Sequence, residues 1–165
     1  MFCGASPGRD PAYAAAARDV GAALAKSGIE LVYGGGRLGL MGILADAALA
    51  AGGRVTGVIP SSLVDRELAH RDVTDLRIVG TLHERKATMA ELSEVLSWAQ
   101  LGLHGKPIGL LDVNGYFARF VAFLDHATRE EFVGRAQRDL LIVEDDLDAL
   151  LAAFEAWQPG GGRWG

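Results

Sequence analysis

The stretch HERKATMAELSEVLSWAQLG, His83 to Gly102, sets a basic pair, Arg85 and Lys86, ahead of carboxylates at Glu91 and Glu94. Such charges either solvate a helix or form an active site. In one unbroken helix Arg85 and Glu91, six residues apart, would lie about 120° apart around the axis. They could not then face one small substrate.

Two glycine-rich loops offer a second kind of chemistry. In VYGGGRLGLMG, Val32 to Gly42, Gly34, Gly36 and Gly39 satisfy G-x-G-x-x-G after an apolar run and before a helical one. Glycines let a backbone approach an anion closely, and a helix start offers free N–H groups and the positive end of a dipole. A dinucleotide site also needs an acid near the end of the next strand, to hold a ribose. That strand ends TGVIP, with no carboxylate before Asp65, so NAD is not expected. The plain alternative is that the glycines serve only a tight turn and close helix packing. The other loop, CGASPG, Cys3 to Gly8, places the Ser6 hydroxyl between Gly4 and Gly8. Cys3 has no neighbouring base and is expected to be a buried strand residue, not a nucleophile.

The elements that position these loops alternate. MFCGAS is expected to end a strand, and PAYAAAARDVGAALAKSG to form a helix with Tyr13, Ala17, Val20 and Leu24 on one stripe, stopped at Gly28. IELVY, RVTGVIP, LRIVG, PIGLLDV and LLIVE read as strands. LGLMGILADAALAAGG, YFARFVAFLDHAT and DLDALLAAFEAW read as helices, the last with Asp145 or Asp146 near its start. Alternation of this kind predicts an α/β fold: one Rossmann-like, doubly wound parallel sheet with helices on both faces, over residues 1–158. Residues 159–165, PGGGRWG, are expected to form a flexible tail. Ligands of such folds bind outside the carboxyl ends of the strands.

Composition narrows the partners. A net charge of −5 argues against nucleic acid, whose phosphates demand clustered Lys and Arg. The single cysteine excludes an internal disulfide and fits a reducing compartment. No apolar run approaches the roughly 20 residues that span a bilayer, and no basic leader precedes the short apolar start. A cytoplasmic protein without a membrane partner is expected. His83 and His104 lack ligand-spaced partners, so no metal site is expected.

Taken in order, CGASPG, VYGGGRLGLMG, GVIP, DREL, HERK and WAQLGLHGKPIGLLDVNGYF resemble the LOG family, the cytokinin riboside 5′-monophosphate phosphoribohydrolases, often labelled lysine decarboxylase-like. The resemblance runs from residue 2 to about residue 157. It implies a Rossmann-like homodimer that cleaves the N-glycosidic bond of an adenosine 5′-monophosphate, N6-modified or plain. Free base and ribose 5-phosphate are the products, and no metal or redox cofactor is implied. The family's hallmark, P-G-G-x-G-T-x-x-E at the end of an apolar strand, is incomplete here. Thr88 and Glu91 match its threonine and glutamate, and what should precede them is missing between Ala87 and Thr88. In the family that segment puts the counterparts of Arg85 and Glu91 on successive helices, which would relieve the geometry of a single helix. Two accounts stay open: a genuine deletion, or residues of the molecule that the sequence omits.

By the same resemblance Arg85 and Glu91 are catalytic. Glu91 would stabilise the oxocarbenium-like ribose or orient water. Arg85, whose guanidinium does not readily give up a proton, would help electrostatically. Gly4, Ser6, Gly35, Gly36, Gly39, Met41, Glu67, Lys86, Thr88 and Ser97 would bind substrate, Thr88 near the 5′-phosphate. Glu94 has no such support and reads as a solvated charge. Trp98 and Leu101 suit a core or dimer face. A non-catalytic nucleotide- or cofactor-binding protein is the alternative. A true decarboxylase would need pyridoxal phosphate on a lysine, and of Lys26, Lys86 and Lys106 only Lys86 lies in a candidate site.

Overall fold

The computed structural model describes residues 1–64, 68–81, 84 and 108–158. The chain divides into two compact units, Met1–Glu91 and Leu92–Gly165.

In the first unit, α1 (Pro11–Lys26) starts where Asp10 caps it, Oδ1 accepting the Ala12 N–H at 2.9 Å, with proline in the first turn. It ends at Ser27, followed by Gly28 at φ +68°. Three parallel strands follow, β1 (Leu31–Tyr33), β2 (Val55–Pro60) and β3 (Asp75–Val79), ordered β1-β2-β3. Leu31 pairs with Val55, and Thr56 with Asp75. Helix α2 (Gly39–Ala50) makes the crossover from β1 to β2. All six residues of β2 are buried, as expected of a strand hydrogen-bonded on both sides and covered on both faces. Leu31, Tyr33, Leu44, Ala45, Ala48, Val55, Val58 and Ile59 form the core. Helices α1 and α2 pack so closely that a Cβ at Gly21 would stand 2.4 Å from the Leu44 carbonyl oxygen.

In the second unit, β4 (Ile108–Leu111) and β5 (Leu141–Glu144) pair in parallel, Ile108 opposite Leu141. Phe117, Val121, Leu124 and Val143 pack on Ile108, Leu110 and Leu141. After a 3₁₀ turn at Val113–Gly115 come α4 (Ala118–Arg129) and the single turn α5 (Arg135–Arg138). Arg138 ties these pieces together, donating to Asp125 Oδ1 at 2.8 Å and to the Leu141 carbonyl at 3.2 Å. The last helix, α6 (Leu147–Glu155), is capped by Asp146, which accepts the Ala149 N–H at 2.9 Å.

Both units are therefore α/β, parallel strands flanked by helices, in the order the sequence alternation predicts. Three details differ. The opening MFCGAS forms no strand: Met1 donates its amino group to the Val32 carbonyl, and a single bond beside β1 is not a ladder. A short helix, α3 (Ser61–Val64), follows β2 directly. The strand expected from IELVY is shortened to Leu31–Tyr33.

Candidate functional site

The glycine loop leaves β1 at Tyr33 and enters α2 at Gly39. Leu38, at the N-cap of α2, makes no side-chain cap bond, and no acidic residue sits in the first turn. Its positive dipole end is therefore not neutralised by a side chain of that turn. Gly35 and Gly39 hold φ of +70° and +62°, conformations that other residues adopt only under strain. A Cβ on Gly35 would press on Val58 and Ile59 of β2 at 3.0–3.3 Å, so this glycine also permits close packing against the sheet.

The second loop lies directly on the first. The Gly4 carbonyl accepts the Leu40 N–H at 3.1 Å, in the first turn of α2. A Cβ at Gly39 would fall 2.3 Å from Ala5 backbone atoms and 2.6 Å from the Ser6 nitrogen. Ser6 Oγ faces the Gly8 N–H at 3.5 Å. Met41 folds back over Gly36, its Cε 3.1 Å from where a Cβ would stand. Gly4, Ser6, Gly36, Gly39 and Met41, drawn from two sequence segments, thus meet around one helix start.

A third segment braces the loop. Ala69 bridges antiparallel to Gly36. The Arg37 N–H donates to the Leu68 carbonyl at 3.0 Å, and the His70 N–H to the Gly35 carbonyl at 2.9 Å. Arg37 N–H is consequently spent within the protein. Nothing in the pattern of LAH signals this strap, because it is made of backbone bonds.

A sequence signal that reading by motif overlooks lies just before Arg85. Thr81 Oγ1 accepts the Glu84 N–H at 3.1 Å, and Glu84 Oε2 accepts the Gly80 N–H at 2.6 Å. This is the reciprocal side-chain-to-backbone bonding of a T-x-x-E pattern, shifted by one residue on its return arm. Arg85, Lys86, Thr88, Glu91 and Ser97, together with Glu67, lie outside the described residues.

Tyr33 is fully buried, and its hydroxyl has no hydrogen-bond partner among the described residues. Burial first, then the charges of Asp46 and Cys3, pushes its pKa above the usual phenol range. Cys3 is half-buried, and burial raises its thiol too, outweighing the opposing pull of the terminal amino group. The thiolate is the reactive form, so a raised pKa leaves less of it at pH 8 than in a free cysteine. Alkylation of Cys3 by iodoacetamide, followed by mass spectrometry, is expected to lag free cysteine at pH 8 and to climb at higher pH. A rate equal to free cysteine at pH 8 would show that burial does not suppress the Cys3 thiolate.

The model of a family described as possible lysine decarboxylase matches residues 41–94 and 87–154. A cytokinin riboside 5′-monophosphate phosphoribohydrolase from Rhodococcoides fascians is 43% identical, across 94% of this chain and 88% of its own length. One from Arabidopsis thaliana is 39% identical, across 96% and 82%. These alignments run over 174 and 176 positions, more than the 165 residues of the chain, so the relatives carry residues this chain lacks. The family match breaks into two pieces that overlap at 87–94, which puts the gap at the incomplete hallmark. Among solved structures, a molybdenum cofactor carrier protein from Chlamydomonas reinhardtii shares the fold, with a TM-score of 0.59 at 22% identity, over 87% of this chain and 86% of that one.

Proposed function

The chain belongs to the LOG family of cytokinin riboside 5′-monophosphate phosphoribohydrolases, and from that premise we propose that it hydrolyses the N-glycosidic bond of adenosine 5′-monophosphates. Water attacks the anomeric carbon, the bond to N9 breaks, and free base and ribose 5-phosphate leave. The base is a cytokinin or adenine. The observation that supports this best within the fold is the meeting of Gly4–Ser6 with Gly39–Leu40, which gathers two anion-tolerant loops at one uncapped helix start.

In this reading Glu91 stabilises the cationic ribose or orients water. Arg85 draws electron density toward the departing base. Thr88 lies near the 5′-phosphate. Gly4, Ser6, Gly35, Gly36, Gly39, Met41, Glu67, Lys86 and Ser97 complete the substrate site. Residues 1–158 act as one nucleotide-binding domain, and the protein works as a cytoplasmic homodimer. None of the described helices is long and apolar enough to cross a membrane.

Incubating the purified chain with AMP or isopentenyladenosine monophosphate and separating the products by chromatography tests this. Equimolar free base and ribose 5-phosphate are expected. Tight nucleotide binding with no turnover of either compound would overturn the enzyme reading in favour of a binding protein.

A further inference from the structure

His70 is a buried titratable side chain, 6% exposed, that none of the roles above employs. Its ring Nε2 stands 2.9 Å from Oδ1 of Asp46, on α2. An ionised carboxylate only accepts, so Nε2 carries the proton and donates. The Asp46 side chain is 71% exposed, so the pair runs from the interior to the surface. On the backbone side the same residue is tied to the glycine loop through Gly35. One residue therefore joins the loop by its main chain and the helix that the loop opens by its ring.

From this double attachment we propose that His70, held by Asp46, is a positioning residue for the nucleotide-binding loop, and that it rests on the proposed hydrolase reading for its functional consequence. The ring bond pins the strap of residues 68–70 to α2. The strap in turn sets the path of Gly35–Arg37, and with it the direction of the amides at the start of α2. Gly35 and Gly36 have no side chains with which to lock their own conformation. Otherwise the strap is held, among the described residues, by three backbone bonds, Arg37 to Leu68, His70 to Gly35 and Leu68 to Leu63, and a segment held so sparsely opens readily. If this position only filled space, an apolar residue would serve; burying an imidazole is costly unless it is hydrogen-bonded. The ring satisfies that need on α2, the helix that the glycine loop opens.

The test uses the full chain and four variants, His70→Ala, His70→Gln, Asp46→Ala and Asp46→Asn. KM and kcat for AMP and amide hydrogen exchange are measured for each. His70→Ala and Asp46→Ala are expected to raise KM about tenfold, the effect of one hydrogen bond to a charged group, with kcat nearly unchanged. Exchange at Arg37 and His70 should quicken while the β4–β5 pair stays as protected as before. His70→Gln and Asp46→Asn keep a donor facing an acceptor and should restore most of both readouts. Wild-type KM and loop exchange in the two alanine variants would overturn the proposal. So would a loss that the amide variants leave unrepaired, which would make His70 mere packing. Should His70→Ala not fold, Asp46→Ala decides alone, since its side chain is largely in solvent. If the wild type turns over no nucleotide, the hydrolase reading fails. Loop exchange still judges the clamp, and unchanged exchange would overturn it.

Discussion

Alanine in place of Glu91 is expected to leave AMP bound but uncleaved, with kcat down by about 10³-fold or more and KM little changed. Departure of the base leaves positive charge spread over C1′ and the ring oxygen of ribose, and that charge is absent from the bound substrate. A carboxylate beside it therefore stabilises the transition state more than the ground state, which is the condition for raising kcat. Glu91→Gln separates charge from shape: it keeps a polar group of the same size and should lose nearly as much. Arg85→Ala should cost less. A guanidinium with a pKa above about 12 supplies a field and not a proton. Product chromatography under saturating AMP, with isothermal titration for binding, reads all three variants. Glu91→Ala retaining more than a tenth of wild-type kcat would take the carboxylate out of the chemistry.

Most of the architecture is readable from the chain because it rests on local patterns. The β-branched and apolar runs at Leu31–Tyr33, Val55–Pro60 and Leu141–Glu144 are bounded by glycine, proline or acidic residues, and each lands in a strand. Asp10 and Asp146 announce their helices by their chemistry as caps. The four-residue helices at Ser61–Val64 and Arg135–Arg138 are invisible for a physical reason: one turn has no period to detect. The site divides along the same line. That glycines make the turn between β1 and α2 is legible in the sequence, whereas the positive φ of Gly35 and Gly39 appears only in the structure. That Ala5 presses on Gly39, or that His70 finds Asp46 24 residues earlier, is tertiary, and no window of neighbouring residues holds that information. The T-x-x-E pattern at Thr81–Glu84 lies between these cases. Its signature is local, yet it escapes a reading that begins the segment at His83.

Gly39→Ala is the strongest structural test of how the two loops meet, and Gly28→Ala is its natural control. Both glycines sit at nearly the same left-handed backbone angle, φ +62° and +68°. Among the described residues nothing stands within 4 Å of a Cβ added at Gly28, so alanine there meets only the conformational penalty, about 1 kcal/mol. At Gly39 the added carbon would lie 2.3 Å from the Ala5 carbonyl group and 2.6 Å from the Ser6 nitrogen. These are backbone atoms, which cannot swing aside as the end of a side chain can. Relief requires the 4–6 loop to lift off α2, breaking the Leu40–Gly4 bond, or the first turn of α2 to unwind. With overpacking added, the total cost should be about 2–4 kcal/mol. Either way the loops part, and KM for AMP should rise at least about tenfold, while Gly28→Ala leaves KM where it was. Urea unfolding and steady-state kinetics on the pair give both numbers. Equal destabilisation by the two substitutions, with KM unmoved in each, would mean that the Cys3–Gly8 loop and the start of α2 do not share a ligand.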